Sequence, residues 1–251
     1  MQDKTSHPHP FSHIPGVSYD LETGEPFLPL PPPLDKYRLT PWRYNEADIQ
    51  SVLSMMNDER VYMYLMGPPC PYTIEHAKSW IAAKTENTGK LVTYLRETKS
   101  WSDIQKISGC PFEVVRFSEN PNSAGAEHLG VIDAKVESML DAPGRSWNEP
   151  FFSDAEFAAT QQWIFGDYLS PSHHNKGIMT ACMKLLLDQF FDPIMRVKEW
   201  RVTAFVGNWA SRRVFEKNGF VFTGEIQLMG TLPVAKGGPK EVHAWVLELS
   251  R

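Results

Sequence analysis

The sequence predicts a mixed α/β domain, α+β in character, with helices packed on a single sheet. Three observations lead there. Two segments in the first third carry apolar residues at helical spacing, each behind a capping residue. The middle holds two short runs rich in β-branched and aromatic residues, joined by turn formers. From about residue 161 the pattern reads strand, helix, strand, helix, strand, strand. At 251 residues, 42% hydrophobic and 22% charged, the chain can bury a substantial core.

Residues 1–35 are rich in proline and close on PFLPLPPPLDK. Pro31, Pro32 and Pro33 cannot donate ladder hydrogen bonds and favour polyproline II, so an extended arm is expected here. The folded body is expected over 36–251. Tyr37, Leu39 and Pro41 alternate with polar neighbours, as on a half-buried edge strand. Asn45 is a good N-cap for EADIQSVLSMMND, where Ile49, Val52, Leu53 and Met56 share one face. Thr73 repeats the device for TIEHAKSWIAAKT, with Ile74, Ala77, Trp80 and Ile81 as the stripe. Phe112–Phe117 and His128–Lys135 read as strands around the turn-rich SENPNSAGA.

Residues 136–160 are broken by Pro, Gly and Asp and hold no long period, so an insertion is expected. Its Trp147, Phe151 and Phe152 are aromatic surface suited to an acceptor pocket. The strand QQWIFGDYL follows, then a turn and helix in LSPSHHNKGIMTACMKLLLDQFF. The strand EWRVTAFV, the helix ASRRVFEKNG and the strands FVFTGEIQ and VHAWVLEL complete the chain.

The totals narrow the function. A net charge of −5 provides no broad basic surface, which argues against nucleic acid as a partner. Cys70, Cys110 and Cys182 are sparse and far apart, as in a reducing compartment. The first residues contain no apolar signal region, and nowhere is there a run of about eighteen apolar residues. A cytoplasmic protein without a membrane partner is expected, monomer or homodimer, with the nucleus left open.

The most informative segment is Leu169–Phe191. Met179, Met183, Leu186 and Phe190 recur at helical spacing, widened by Ile178, Cys182 and Leu185. This helix starts directly after a strand and a tight turn containing Gly177. A first helical turn leaves N–H groups without internal partners and carries partial positive charge, which suits a diphosphate. Gly177 lacks a Cβ and lets phosphate approach the backbone, and Lys176 adds a charge. By itself the pattern fits a core helix with an ordinary glycine equally well. Neither GxGxxG nor GxxxxGK[ST] occurs, which disfavours nicotinamide and P-loop enzymes. His173 and His174 are adjacent, so their side chains diverge, and no further ligand follows at a recognised spacing; no metal is expected.

A second segment, RVTAFVGNWASRRVFEKNGFVFTGE, runs strand, Asn208, helix, Gly219, strand. Its NWASRRVFEKNGF closely resembles the C-terminal signature N-x-x-S-x-x-[VL]-x-E-K-x-G-F of GNAT acyl-CoA N-acyltransferases. The resemblance is strongest to the branch holding ribosomal-protein alanine and serine N-acetyltransferases. HNKGIM is similar to the superfamily's acyl-CoA signature [QR]-x-x-G-x-[GA]: His174 stands at the Gln/Arg position, Gly177 matches, and Met179 occupies the small-residue position. The resemblance spans Lys36 to Leu249, leaving out the arm and the insertion.

The resemblance implies a strongly bent, mostly antiparallel mixed sheet, splayed at two central parallel strands and flanked by helices. Acetyl-CoA would lie in the splay as cosubstrate. Asn175, Lys176, Gly177, Ile178, Met179 and Thr180 would surround its diphosphate. Tyr168 and Leu169 would pair with its pantetheine arm, and Asn208, Ser211 and Phe215 would approach it from the other side. For Ser211, capping its own helix is an equal alternative.

The implied reaction is attack by a neutral amine, from a peptide or a small molecule, on the thioester. The N–H near Leu169 is the expected oxyanion donor. This chain departs from the family at two places. Phe215 stands where many members carry a tyrosine acid, and Ile164 where many carry a glutamate. Asp167 is then the best-placed base, with Glu113 and Asp133 as others and a bulk-water route for the proton as a further alternative. Ser211 could serve the leaving sulfur through a water, or the thiolate could leave unaided as a stable anion. A noncatalytic acyl-CoA-binding module is the alternative function.

Overall fold

The computed structural model describes residues 9–104, 107–119, 126–136, 151, 162–228, 232, 236 and 242–251. In chain order the elements are β1 (Ser18–Asp20), β2 (Glu25–Pro29), β3 (Tyr37–Thr40), α1 (Glu46–Met56), α2 (Glu59–Tyr62) and α3 (Ile74–Glu97). They continue as β4 (Val114–Phe117), β5 (Glu127–Val136), β6 (Gln162–Leu169), α4 (Ile178–Leu186), β7 (Glu199–Phe205), α5 (Trp209–Lys217), β8 (Val221–Leu228) and β9 (Val242–Ser250). The strands form one sheet in the order β1-β2-β3-β4-β5-β6-β7-β9-β8. Every neighbouring pair is antiparallel except β6 and β7.

The expected polyproline arm differs in conformation. Residues 18–29 form a hairpin, and β2 extends the sheet by setting Leu28 against Leu39 and Pro29 against Arg38. The cause lies in the apolar residues scattered among the prolines. Phe11, Ile14, Val17, Leu28 and Leu30 are all buried in the main core, which outweighs the donors the prolines lack. Arg43 Nε also donates to Glu25 at 2.6 Å, tying the hairpin to the body.

The two predicted caps form. Asn45 accepts from the Asp48 amide at 2.9 Å, and Thr73 and His76 make a reciprocal capping box. Helix α3 runs well past the expected residue 85, because its buried face continues through Thr88, Leu91 and Leu95. The helix after Gly177 also departs from simple α spacing: Leu187–Met195 is π-helical, with Pro193 inside it. The wider turn lets two consecutive rings be buried. Phe190 meets Phe112 edge-on at 5.8 Å, and Phe191 meets Trp200 edge-on at 4.9 Å.

This core fills the α4 face of the sheet, and a second cluster joins α1 and the start of α3 to Val114 and Val131 on the other face. Phe165 stacks on Trp200 at 4.3 Å, locking β6 to β7 at the base of their contact. Parallel pairing covers only Gln162 with Glu199 and Trp163 with Trp200. Beyond that point the two strands have no register partners in each other, and the sheet opens.

Candidate active site

A cleft of ≈ 1380 Å³ occupies this opening. Its walls are the end of β6, the turn at 173–177, the first turn of α4, the end of β7, and α5. The chain after α2 closes another side with Tyr64, Leu65 and Met66.

Backbone direction at the end of β6 follows from one hydrogen bond. Gly130 lies opposite Leu169, and the Ser170 amide donates to the Leu129 carbonyl at 2.6 Å. In an antiparallel ladder that bond brackets a non-hydrogen-bonded pair, so the Leu169 N–H and C=O point away from β5. The same alternation turns the Asp167 N–H away from β5, toward the side on which β7 has diverged. The Leu169 carbonyl accepts from His174 Nε2 at 2.8 Å. Its N–H faces the cleft.

The turn between β6 and α4 uses Asn175 at φ 60° and Gly177 at φ 76°, the left-handed region where glycine is unstrained. A Cβ on Gly177 would meet nothing within 4 Å, so the space over this turn is open. The first bond within α4 runs from the Ala181 amide to the Gly177 carbonyl at 3.0 Å, and no side chain caps the helix. The amides of Ile178, Met179 and Thr180 precede that bond, while the side chains of Ile178 and Met179 are buried as anchors. This arrangement suits a phosphate group. The paired histidines part: His173 packs against the rings of Tyr37 and Phe117, whereas His174 pins the turn.

Across the cleft, Asn208 caps α5 by accepting from the Ser211 amide at 3.2 Å. Ser211 is therefore the capped residue rather than the cap, and both residues line the cleft. Phe215 does not line it. Its ring is 1% exposed and packs 5.5 Å from Phe220, so the expected cofactor contact is corrected to a core role. An aromatic at that position of an amphipathic helix falls on the inward face.

The cleft gathers Asp167, Tyr168, Leu169, His174, Asn175, Lys176, Gly177, Ile178, Met179, Thr180, Asn208 and Ser211. Among carboxylates it holds Asp167 and the exposed Glu59. Burial raises the Asp167 carboxyl to about 6. Glu113 and Asp133 are occupied elsewhere. Lys84 Nζ lies 2.9 Å from Glu113 and 3.2 Å from Asp133, and Trp42 Nε1 donates to Glu113 at 2.6 Å. Burial raises Glu113; it acts the same way on Asp133, but Lys84 and Lys135 outweigh it and hold Asp133 low. Cys182 is fully buried, and burial pushes its thiol far up, as a core cysteine rather than a nucleophile.

Three features were not anticipated from the sequence. The Tyr168 hydroxyl is buried without a hydrogen-bond partner among the described residues. The apolar stretch Met63–Met66 lines the cleft, and Lys236 Nζ fixes the chain there by donating to the carbonyls of Leu65 at 2.7 Å and Pro68 at 2.8 Å. The run YMYLMG between two capped helices was the available signal for it. Phe151 packs on Tyr94 at 5.3 Å, away from the cleft, and Trp147 and Phe152 lie outside the described residues. Among the described residues, no three His, Cys, Asp or Glu side chains are grouped to hold a metal ion, and no helix is long and apolar enough to cross a membrane.

The sequence matches the family described as acetyltransferase (GNAT) domain over residues 37–221. No curated protein matches the chain. Among solved structures, the ribosomal-protein-S5-alanine acetyltransferase from Vibrio fischeri is 14% identical, with a TM-score of 0.52 over 86% of this chain and 93% of its own. A GNAT-family acetyltransferase from Bacillus anthracis is 14% identical, with a TM-score of 0.54 over 89% and 98%. RimJ from Mycobacterium smegmatis, in complex with CoA-disulfide, is 15% identical, with a TM-score of 0.53 over 85% and 81%. At these identities the likeness is one of fold.

Proposed function

The chain belongs to the GNAT acetyltransferase family, and on that premise we propose that it transfers the acetyl group of acetyl-CoA to a primary amine by direct attack on the thioester. The acceptor is a protein N-terminus or a small-molecule amine. The observation that carries this reading is the junction of two open donor sets in one cleft: the Leu169 N–H at the end of β6, and the uncapped first turn of α4 behind Gly177.

The α4 turn, with Lys176, takes the diphosphate. The outward-facing backbone of β6 pairs with the pantetheine arm, which aligns the thioester carbonyl with the Leu169 N–H. That donor stabilises the oxyanion formed when the amine nitrogen bonds to the carbonyl carbon. Asp167 accepts the ammonium proton, its raised affinity suiting a base that works near neutrality. Collapse of the tetrahedral species breaks the C–S bond. The second proton of the attacking nitrogen passes through Ser211 and a water to the departing sulfur, so that the serine gives up its hydroxyl proton as it receives one from the nitrogen. Tyr64, Leu65 and Met66 give the acceptor an apolar approach.

The test is release of free coenzyme A thiol from acetyl-CoA, followed with a thiol-reactive dye across peptides with free N-termini, polyamines and small amines. Amine-dependent release, with one acetyl added to the amine by mass, is expected. Coenzyme binding with no release under any acceptor would instead indicate a noncatalytic acyl-CoA-binding module.

A further inference from the structure

Two cations on the cleft wall have no task in the reaction above. Arg213 and Lys217 stand one turn apart on α5, and both line the cleft. Their neighbour Arg212 is engaged: its Nε donates to Glu216 at 2.7 Å, and its guanidinium lies 4.6 Å from the Phe222 ring centre and 4.7 Å from that of Trp245. On α4, Lys184 is likewise paired with Asp188 at 2.5 Å. Among the described residues Arg213 and Lys217 have no acidic partner. In a chain with 30 acidic against 25 basic residues, an uncompensated cation row facing a cleft calls for an anion.

Their position relative to α4 narrows which anion. Asn218 Nδ2 donates to the Thr180 carbonyl at 3.3 Å, tying the C-terminal end of α5 to the first turn of α4. Lys217 directly precedes that tie, so the row flanks the diphosphate cradle. The cradle has its own donors, in the α4 amides and Lys176. Coenzyme A carries one more phosphate, on the ribose 3′ oxygen.

We infer that Arg213 and Lys217 grip the 3′-phosphate of coenzyme A and set the preference of this protein for coenzyme A over dephospho-CoA. The inference rests on the proposed use of acetyl-CoA. Charge-assisted contacts from a guanidinium and an ammonium, held on one helix face, supply the discrimination.

Calorimetric titration of the full chain with coenzyme A and with dephospho-CoA tests it, in the wild type and in Arg213→Ala/Lys217→Ala. Both side chains are exposed, so the double variant keeps its core. The wild type should bind coenzyme A about tenfold more tightly, with a gap that narrows as salt rises. The double variant should bind both ligands with the weaker, dephospho-CoA affinity. Equal weakening of both ligands would assign the pair to the diphosphate, and no weakening would leave it solvated; either result overturns the inference. A wild type that binds neither ligand would overturn the acyl-transfer reading itself.

Discussion

Gly130 leaves no room for a side chain beside Tyr168: a Cβ there would overlap the Tyr168 carbonyl oxygen and stand 2.8 Å from the Leu169 Cα. The obstructing atoms are backbone, which cannot rotate aside. This close approach of β5 and β6 occurs where β6 presents the Leu169 N–H to the cleft. Gly130→Ala should therefore push the strands apart and destabilise the fold by about 1–3 kcal/mol. Denaturant unfolding reads the loss. A variant as stable as the wild type would show that β6 is not held this tightly.

Asp48 and Arg116 form the most enclosed ion pair among the described residues. Arg116 donates to Asp48 through Nη1 at 2.8 Å and Nη2 at 2.5 Å, with side chains 1% and 4% exposed. The pair joins α1 to β4. Burial alone would raise the Asp48 carboxyl, but Arg116 and His128 outweigh it and hold it far below the usual carboxylate range. A carboxyl lowered on folding stabilises the fold above its unfolded pKa, about 3.9, and loses that contribution as pH falls toward the folded value. Asp48→Asn should cost about 3–5 kcal/mol at pH 7, because it leaves Arg116 buried without a counter-charge. Chemical denaturation across pH should show the wild type losing stability below pH about 4, with the variant flatter there.

The elements that carry the cleft were legible because their signals are local. Asn45, Thr73 and Asn208 cap helices by hydrogen bonds to residues three positions on, and Gly177 marks a turn that needs positive φ. The hairpin at residues 18–29 was not legible, since its stability comes from Phe11, Ile14 and Leu28 meeting a distant core. The inward ring of Phe215 is a similar case: its motif position said cofactor, whereas its neighbour Phe220 decides for the core. Glu113 and Asp133 looked available as bases because nothing in the sequence announces that Lys84, on α3, lies between them. Lys236 reaching back to Leu65 is the longest-range example, spanning most of the chain.

Gly177 separates binding from folding. Its φ of 76° strains any L-residue by about 1–2 kcal/mol, yet the space over it is open. Gly177→Trp should therefore fold, with a lowered melting temperature, while its ring fills the room a diphosphate needs. Loss of coenzyme A binding in calorimetry, with an unchanged far-ultraviolet dichroism spectrum, is the expected pair of results. Wild-type affinity in this variant would move the phosphate site away from α4.

Asp167 makes opposite demands on folding and on chemistry, which allows its role to be tested twice. Its carboxyl is raised to about 6 by burial, so the protonated form favours the fold. That contribution is complete below the unfolded pKa, about 3.9, and is lost as pH rises through about 6. Asp167→Asn should thus raise the melting temperature more at pH 8 than at pH 4. The unprotonated form is the one able to accept the ammonium proton, so turnover in the wild type should rise with pH through about 6. An α-amino acceptor titrates near 8 and would add a second, separate limb. In the variant the limb near 6 should vanish and turnover should fall by about 10²–10⁴-fold, with coenzyme A affinity retained. A pH profile that keeps the lower limb after the substitution would assign the proton to another acceptor; the other carboxylate lining the cleft, Glu59, is exposed.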